Sequence, residues 1–349
     1  MTALAEIIRG MIRDDGPMTL DRYMALCLGH PQHGYYITRD PFGAAGDFTT
    51  APEISQVFGE LVGIWVAQAW QAMGSPRHWA LVELGPGRGT LMADMLRVLA
   101  KVEHAAKAVE IHFVETSPAL RAAQAARVPQ ATWHHTISSL PSRPTIIVAN
   151  EFFDALPIRQ FERRNGQVFE RVVGLEGNAL SMGLVPSPVP VRMRGEGVIE
   201  DSSLRDALAT QMADHLASVT GAALVIDYGH IRSSPGDTLQ ALRKHKSVPI
   251  TESPGEADIT SHVDFESLGR ACAGAGLRVS GIMPQGDFLN AMGLEARTDV
   301  LSRTVEGDPR AQLIAASERL AHPGQMGHLF KVMAVTSAGV PPPYPFGEQ

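Results

Sequence analysis

Cysteine is nearly absent: Cys27 and Cys272 are the only two among 349 residues. That excludes a disulfide framework and the paired-cysteine spacing of a zinc site, and it fits a reducing compartment. Long apolar runs are also missing. The most apolar stretch, residues 61–70, carries Gln68 and falls well short of the roughly 20 residues needed to cross a bilayer. Positive charge is in deficit. The 30 Lys and Arg against 37 Asp and Glu leave a formal net charge of −7, without the basic excess a general nucleic-acid binder uses to neutralise phosphates. A secretory signal pattern is lacking, and Glu6, Asp14 and Asp15 come too early for an organelle transit peptide. The expectation is a soluble, cytoplasmic protein that binds no nucleic acid and inserts into no membrane. Its acidity suits a basic partner such as an arginine-bearing protein segment.

What is present is a globular composition, 44% hydrophobic and 19% charged. Residues 1–30 have a helical pattern, with Thr19 as a helix start and Gly29 as a stop. An irregular stretch rich in glycine, proline and aromatics follows, from His33-Gly34-Tyr35-Tyr36 to Pro52-Glu53. A helix is predicted over 54–73. Apolar runs then predict buried strands at 80–84, 110–115, 131–134, 145–149 and 222–227, as in a parallel sheet covered on both faces. Strands at 277–282 and 328–335 would close it. Three segments interrupt the alternation: 158–200, with a hairpin signal at Asn165-Gly166; 231–262, long and polar; and 286–325, helical in pattern. The Pro-rich tail at 341–345 reads as loose.

The densest signal is Leu81-Val82-Glu83-Leu84-Gly85-Pro86-Gly87-Arg88-Gly89-Thr90. A buried strand runs into a turn with Gly85, Gly87 and Gly89, then a helix over 91–99. Such a turn lets backbone N–H groups approach a ligand closely, with a helix N-terminus behind them. Thr90 stands where the dinucleotide fingerprint has its third glycine. The spacing, with Glu83 ahead of it, is that of the first motif of class I methyltransferases that use S-adenosyl-L-methionine. Glu115, ending the next strand, is placed to accept ribose hydroxyls; a surface acid at a strand end is the alternative. Nicotinamide dehydrogenases share this pair, but no Tyr–Lys or cysteine constellation accompanies it.

A second cluster, Asn150-Glu151-Phe152-Phe153-Asp154, ends the fourth strand, where open α/β sheets bind ligands. Two acids and an amide there suit a cationic or amino substrate; a helix cap is the bland alternative. Asp227-Tyr228-Gly229-His230 ends the fifth strand. Asp258 and His262 lie in an acidic stretch, 255–264, whose spacing matches no common metal site, and Ser261 or Asp264 can cap the helix starting near Phe265.

The ordered set His30-Pro31, His33-Gly34-Tyr35-Tyr36, Thr50-Ala51-Pro52-Glu53-Ile54-Ser55-Gln56, the glycine turn, Asn150 to Pro157, Ile226-Asp227-Tyr228-Gly229, Gly236 to Gln240, Asp258 to Phe265 and Gly327 to Lys331 resembles the MidA family over nearly the whole chain. The mitochondrial members of that family are respiratory complex I assembly factors. The resemblance implies an α/β fold, a class I methyltransferase with a Rossmann-like seven-stranded sheet, divided into an N-terminal helical lid segment (1–75) and a core (76–349) carrying the three insertions. It implies S-adenosyl-L-methionine as cofactor and a protein arginine as acceptor, in the family an arginine of an NADH dehydrogenase (complex I) subunit converted to symmetric dimethylarginine. Glu83, Gly85, Gly87, Gly89, Glu115 and Asn150 are the expected cofactor residues. Glu151 and Asp154 are the expected acceptor-binding acids, with Asp258 and His262 as second choices and no metal. Methylation of a small molecule, and an assembly chaperone that binds the cofactor without essential catalysis, are the competing readings.

Overall fold

The computed structural model describes residues 2–38, 50–102, 104–190 and 196–347. Its frame is one twisted sheet. Besides a two-residue strand, Val263–Asp264, that pairs with Gly229 and His230, seven strands form it: β1 (Trp79–Leu84), β2 (Val109–Val114), β3 (Thr132–His134), β4 (Thr145–Asn150), β5 (Gly221–His230), β6 (Arg278–Pro284) and β7 (Phe330–Thr336). They lie in the order β3-β2-β1-β4-β5-β7-β6. The first five are mutually parallel, β7 runs antiparallel to β5, and β6 antiparallel to β7. This is the seven-stranded methyltransferase sheet expected from the apolar runs. β1 and β4 are buried at every position because helices cover both faces.

Helices Gln56–Ala72 and Thr90–Leu99 cover one face through Phe58, Val62, Trp65 and Met92. Helices Ser203–Val219 and Phe265–Gly274 cover the other through Met212, Leu216 and Leu268. The chain leaves β3 and crosses to the far side of β1 to form β4. Connections therefore part at the carboxyl ends of β1 and β4, opening the crevice where such sheets bind ligands.

A third core sits beside this frame. Helices Ala3–Asp15 and Leu20–Gly29 pack Ile8, Tyr23 and Cys27 against Ile158, Val173, Ala241 and Ile259. The last four belong to or adjoin two accessory sheets. One is antiparallel, built from Arg159–Arg164, Gln167–Glu176, Ala179–Pro186 and Gly197–Asp201, with Met18–Thr19 added at the Val172-Val173 end. Asn165 and Gly166 both take positive φ, 49° and 77°, as a two-residue hairpin turn requires. The other sheet joins Gln240–Arg243, Lys246–Val248 and Asp258–Thr260.

Several sequence expectations change. The polar segment 231–262 is not a bare loop: Ala241 and Ile259 bury themselves in the third core, and backbone pairing between them supplies the sheet. The helix expected over 54–73 is two helices, Ala51–Ile54 and Gln56–Ala72. Ser55 breaks it with extended backbone, and its hydroxyl caps the second helix by accepting the Val57 N–H at 3.2 Å. The tail at 341–345 is anchored. Tyr344 and Phe346 pack on the main core, and Phe346 stacks on Phe288 with ring centroids 6.0 Å apart. Of the irregular, aromatic-rich stretch from His33 to Glu53, residues 39–49 lie outside the described residues. Tyr35 and Ala51, at its two ends, are fully buried.

Candidate functional site

The carboxyl end of β1 leads through Gly85, Gly87 and Gly89, whose φ values are +59°, +52° and +76°. Left-handed backbone at three alternate positions is what only glycine tolerates without strain. At Gly85 a side chain also lacks room, since a Cβ there would lie 2.7 Å from the Phe152 ring. Gly89 is the N-cap of helix Thr90–Leu99, so the positive end of that helix faces the turn.

Two connected spaces open above the strand ends. The larger, of about 640 Å³, is lined by Gly85, Gly87, Glu115, Glu151, Asp154, Asp258 and His262 among others, a size suited to a cofactor-sized ligand. A recess of about 40 Å³ shares Gly85, Gly87 and Glu151 with it and adds Glu83, Asn150, Thr50 and Glu53. Of the ten residues singled out from the sequence, nine line one space or the other. Gly89 lines neither; it sits behind the turn, where a Cβ would be in ordinary van der Waals contact with Gln124 and Phe113.

The recess holds two buried acceptors that no donor among the described residues reaches, Oε2 of Glu83 and Oδ1 of Asn150. Burial pushes the Glu83 carboxyl well above the usual carboxylate range, although the Met92 N–H opposes the shift. Glu53 closes the outer side. It accepts from the Thr90 hydroxyl, which in turn accepts from Arg127. At the other end of the larger space, Glu115 takes the N–H groups of Thr116 and Ser117 on Oε1, each at 2.7 Å, and Gln124 Nε2 on Oε2 at 3.3 Å. Burial raises its carboxyl even so.

Glu151, Asp154 and their neighbours form the acidic middle. Glu151 takes a left-handed φ of 49°, uncommon for a non-glycine residue and an indication that its surroundings hold it there. Its Oε1 accepts the Ala51 N–H at 2.9 Å and Asn150 Nδ2 at 3.2 Å. Burial pushes its carboxyl up to about 7. Burial also raises Asp154, against a hydrogen bond from Tyr228, and Asp154 Oδ1 has no donor among the described residues. Asp258 accepts from the Tyr36 hydroxyl at 2.8 Å. His262 packs edge-on against Tyr228, centroids 5.5 Å apart, and burial lowers its imidazole.

Sequence reading missed what holds these groups. Asp227 Oδ2 accepts three consecutive N–H groups, from Phe152 at 3.2 Å, Phe153 at 2.9 Å and Asp154 at 3.2 Å. Its place at a strand end marked it, but not for this role. Arg205, in helix Ser203–Val219, is 2% exposed. It donates to the carbonyls of Asp154 (2.9 Å), Leu156 (3.2 Å), Ser261 (3.3 Å) and His262 (2.7 Å) and to Ser261 Oγ (2.7 Å). One guanidinium thus joins the turn after β4 to the loop after Asp258–Thr260. Tyr36, noted from the sequence only as part of the aromatic stretch after His33, is the partner of Asp258.

A family of S-adenosyl-L-methionine-dependent methyltransferases matches residues 61–283. Over 95% of this chain and 84% of its own length, the mitochondrial protein arginine methyltransferase NDUFAF7 homolog of Drosophila melanogaster is 35% identical. The mitochondrial protein arginine methyltransferase NDUFAF7 of Homo sapiens is 34% identical over 93% of this chain and 81% of its own. A crystal structure from Burkholderia thailandensis, bound to S-adenosyl-homocysteine, superposes with a TM-score of 0.82 at 30% identity, covering 97% of this chain and 92% of that one. The cytoplasmic expectation is overturned, because these curated relatives are named mitochondrial; two free cysteines do not name a compartment. No described helix is long and apolar enough to cross a membrane. By sequence match, fold and cofactor, the chain belongs to the S-adenosyl-L-methionine-dependent methyltransferase family.

Proposed function

We propose that this methyltransferase acts on an arginine side chain of a protein, and that the protein is a subunit of an NADH dehydrogenase of the complex I type. The names of the relatives support arginine; the subunit rests on the family resemblance alone. The observation that carries the reading is the convergence of Glu151, Asp154 and Asp258 on one cavity, with two of the three carboxyls raised by burial. Desolvated acids in one cavity call for a cation, and a guanidinium offers several fixed N–H donors to such a group.

On this reading Glu83 and Asn150 take the ammonium of the cofactor through their two donorless oxygens, the glycine turn receives its amino-acid end, and Glu115 meets the ribose. When bound, S-adenosyl-L-methionine supplies a methyl group on a sulfonium. The chain's task is then to position and to move one proton. Asp154 and Asp258 grip the guanidinium, the second held by Tyr36. Glu151 draws one nitrogen toward the methyl and keeps its lone pair from delocalising. With the cofactor bound, the Glu151 carboxylate would accept the proton that the methylated nitrogen loses. His262 borders the grip. The N-terminal segment, 1–75, is the lid we assign over the site, and the insertions at about 158–200, 231–262 and 286–325 are the parts we assign to the acceptor, within a methyltransferase core of 76–349.

The test is tritium labelling from S-adenosyl-L-methionine in a lysate lacking the native protein, followed by mass spectrometry of the labelled band. Single-turnover transfer to that substrate by Glu151→Gln and Asp154→Asn should fall about 10²–10⁴-fold with S-adenosyl-homocysteine binding retained. Label on a residue other than arginine, or near-normal transfer by both variants, defeats the reading.

A further inference from the structure

The rim of the cavity reverses the charge of its interior. Inside, the lining bears the carboxyls of Glu115, Glu151, Asp154 and Asp258; Arg319 is the one Lys or Arg among the described lining residues. It projects from the last turn of helix Asp308–Ala321. Arg319 is exposed; among the described residues it makes no hydrogen bond or salt bridge, and the acid it acts on through space is Glu151. A guanidinium at the edge of an acid-lined space is placed to meet what enters it. Leu329 lies on the same rim and is 44% exposed, one of few large apolar side chains to be so. Next to it Phe330 meets Tyr228 edge-on at 5.5 Å, and Tyr228 meets His262. The Leu329 side of the rim therefore borders the acceptor end of the cavity. Lys331 follows, its ammonium donating to the carbonyls of His328 and Leu329 and to no carboxylate among the described residues.

We propose that Arg319 and Leu329 form a docking edge for the substrate polypeptide and select an acidic residue close in sequence to the acceptor arginine. The inference rests on the arginine reading and deepens it. Charge complementarity commits it to that occupant. The interior takes the cationic side chain, and the rim takes a carboxylate from the same segment while Leu329 covers an apolar neighbour. The same guanidinium faces Glu151 closely enough to oppose the rise of its carboxyl, so a carboxylate arriving at Arg319 also leaves Glu151 more basic. An exposed pair of this kind contributes selectivity, not most of the affinity.

The experiment measures binding of fluorescent synthetic peptides to the full chain saturated with S-adenosyl-homocysteine. Each peptide has one central arginine in a Gly-Ser background, with a single glutamate or glutamine moved through successive flanking positions. The expected result is one or more positions at which glutamate binds about two- to fivefold tighter than glutamine, the range of an exposed ion pair. The preference should shrink in high salt and vanish in Arg319→Gln. Leu329→Ser should weaken both peptides of a pair alike. S-adenosyl-homocysteine binding, read in parallel, reports that each variant folds. Equal binding of every glutamate and glutamine pair, a preference that survives Arg319→Gln, no binding of any peptide, or methylation of Arg319 itself overturns the proposal. Replacing the central arginine with citrulline separates the two readings. If binding ignores that change, the arginine acceptor fails; if it is lost while the glutamate preference is absent, only the docking edge fails.

Discussion

Asp227 Oδ2 accepts the backbone N–H of Phe153 at 2.9 Å, a contact between the carboxyl end of β5 and the turn that follows β4. The N–H groups on either side of Phe153 point to the same oxygen. One fully buried carboxylate thus shapes the turn that carries Glu151 and Asp154. Asp227→Ala would leave three N–H groups without an acceptor in a dry interior. Stability should fall by roughly 3 kcal/mol, the scale of orphaning buried donors, as measured by urea denaturation. A loss within experimental error would mean that water or a neighbour replaces the carboxylate.

Arg205 does for two loops what Asp227 does for one. Arg205→Lys keeps the charge but cannot reach four carbonyls and a hydroxyl with one ammonium. The turnover number should drop about 10²-fold through misplacement of the acceptor, while affinity for S-adenosyl-homocysteine stays near wild type. Calorimetry and single-turnover kinetics separate the two quantities. A parallel fall in both would make Arg205 a general stabiliser.

Glu151 fixes the acid side of the pH profile. Its carboxyl is raised to about 7 in the substrate-free protein, so below that pH it is protonated and cannot accept a proton. kcat/KM should therefore rise with pH up to about 7 and level off above it. Glu151→Gln should remove that limb along with most of the rate. A profile flat from pH 5 to 8 in the wild type would show that Glu151 is not the proton acceptor.

Glu83 couples cofactor binding to stability. Its folded-state pKa is raised, so the stability it contributes is present at low pH and is lost as pH rises through the folded value. Glu83→Gln should flatten that dependence in the substrate-free protein. The same change should weaken S-adenosyl-homocysteine by about 2 kcal/mol, the scale of a hydrogen bond to a charged group, and leave methylthioadenosine, which lacks the amino-acid end, unaffected. Equal losses for both ligands would take Glu83 out of the recess.

Gly85→Ala tests the close approach. Left-handed backbone disfavours the new side chain, and its Cβ would press on Phe152. Phe152 must then swing into the larger cavity. Cofactor affinity should fall at least tenfold by calorimetry, with little change in far-UV circular dichroism; retained affinity would show that Phe152 moves without obstructing the site.

Local chemistry determined much of this protein. Runs such as Ile146-Ile147-Val148 can only be strands covered on both faces, glycine at 85, 87 and 89 can only be a left-handed turn, and acids placed just after such strands fall at the ligand-binding edge of the sheet. Those features depend on neighbours within a few residues, so they are legible in order along the chain. Partners and burial are not. Tyr36 and Asp258 are 222 residues apart, and nothing near either names the other. In helix Ser203–Val219 the sequence places Leu204 beside Arg205, and polarity alone would bury the leucine. The fold leaves Leu204 51% exposed and buries the arginine, because four carbonyls from two distant loops converge where only a multi-donor cation satisfies them. The pKa of Glu151 has the same origin. Desolvation by the N-terminal segment and the core raises it, and desolvation belongs to packing, which exists only once the tertiary structure has formed.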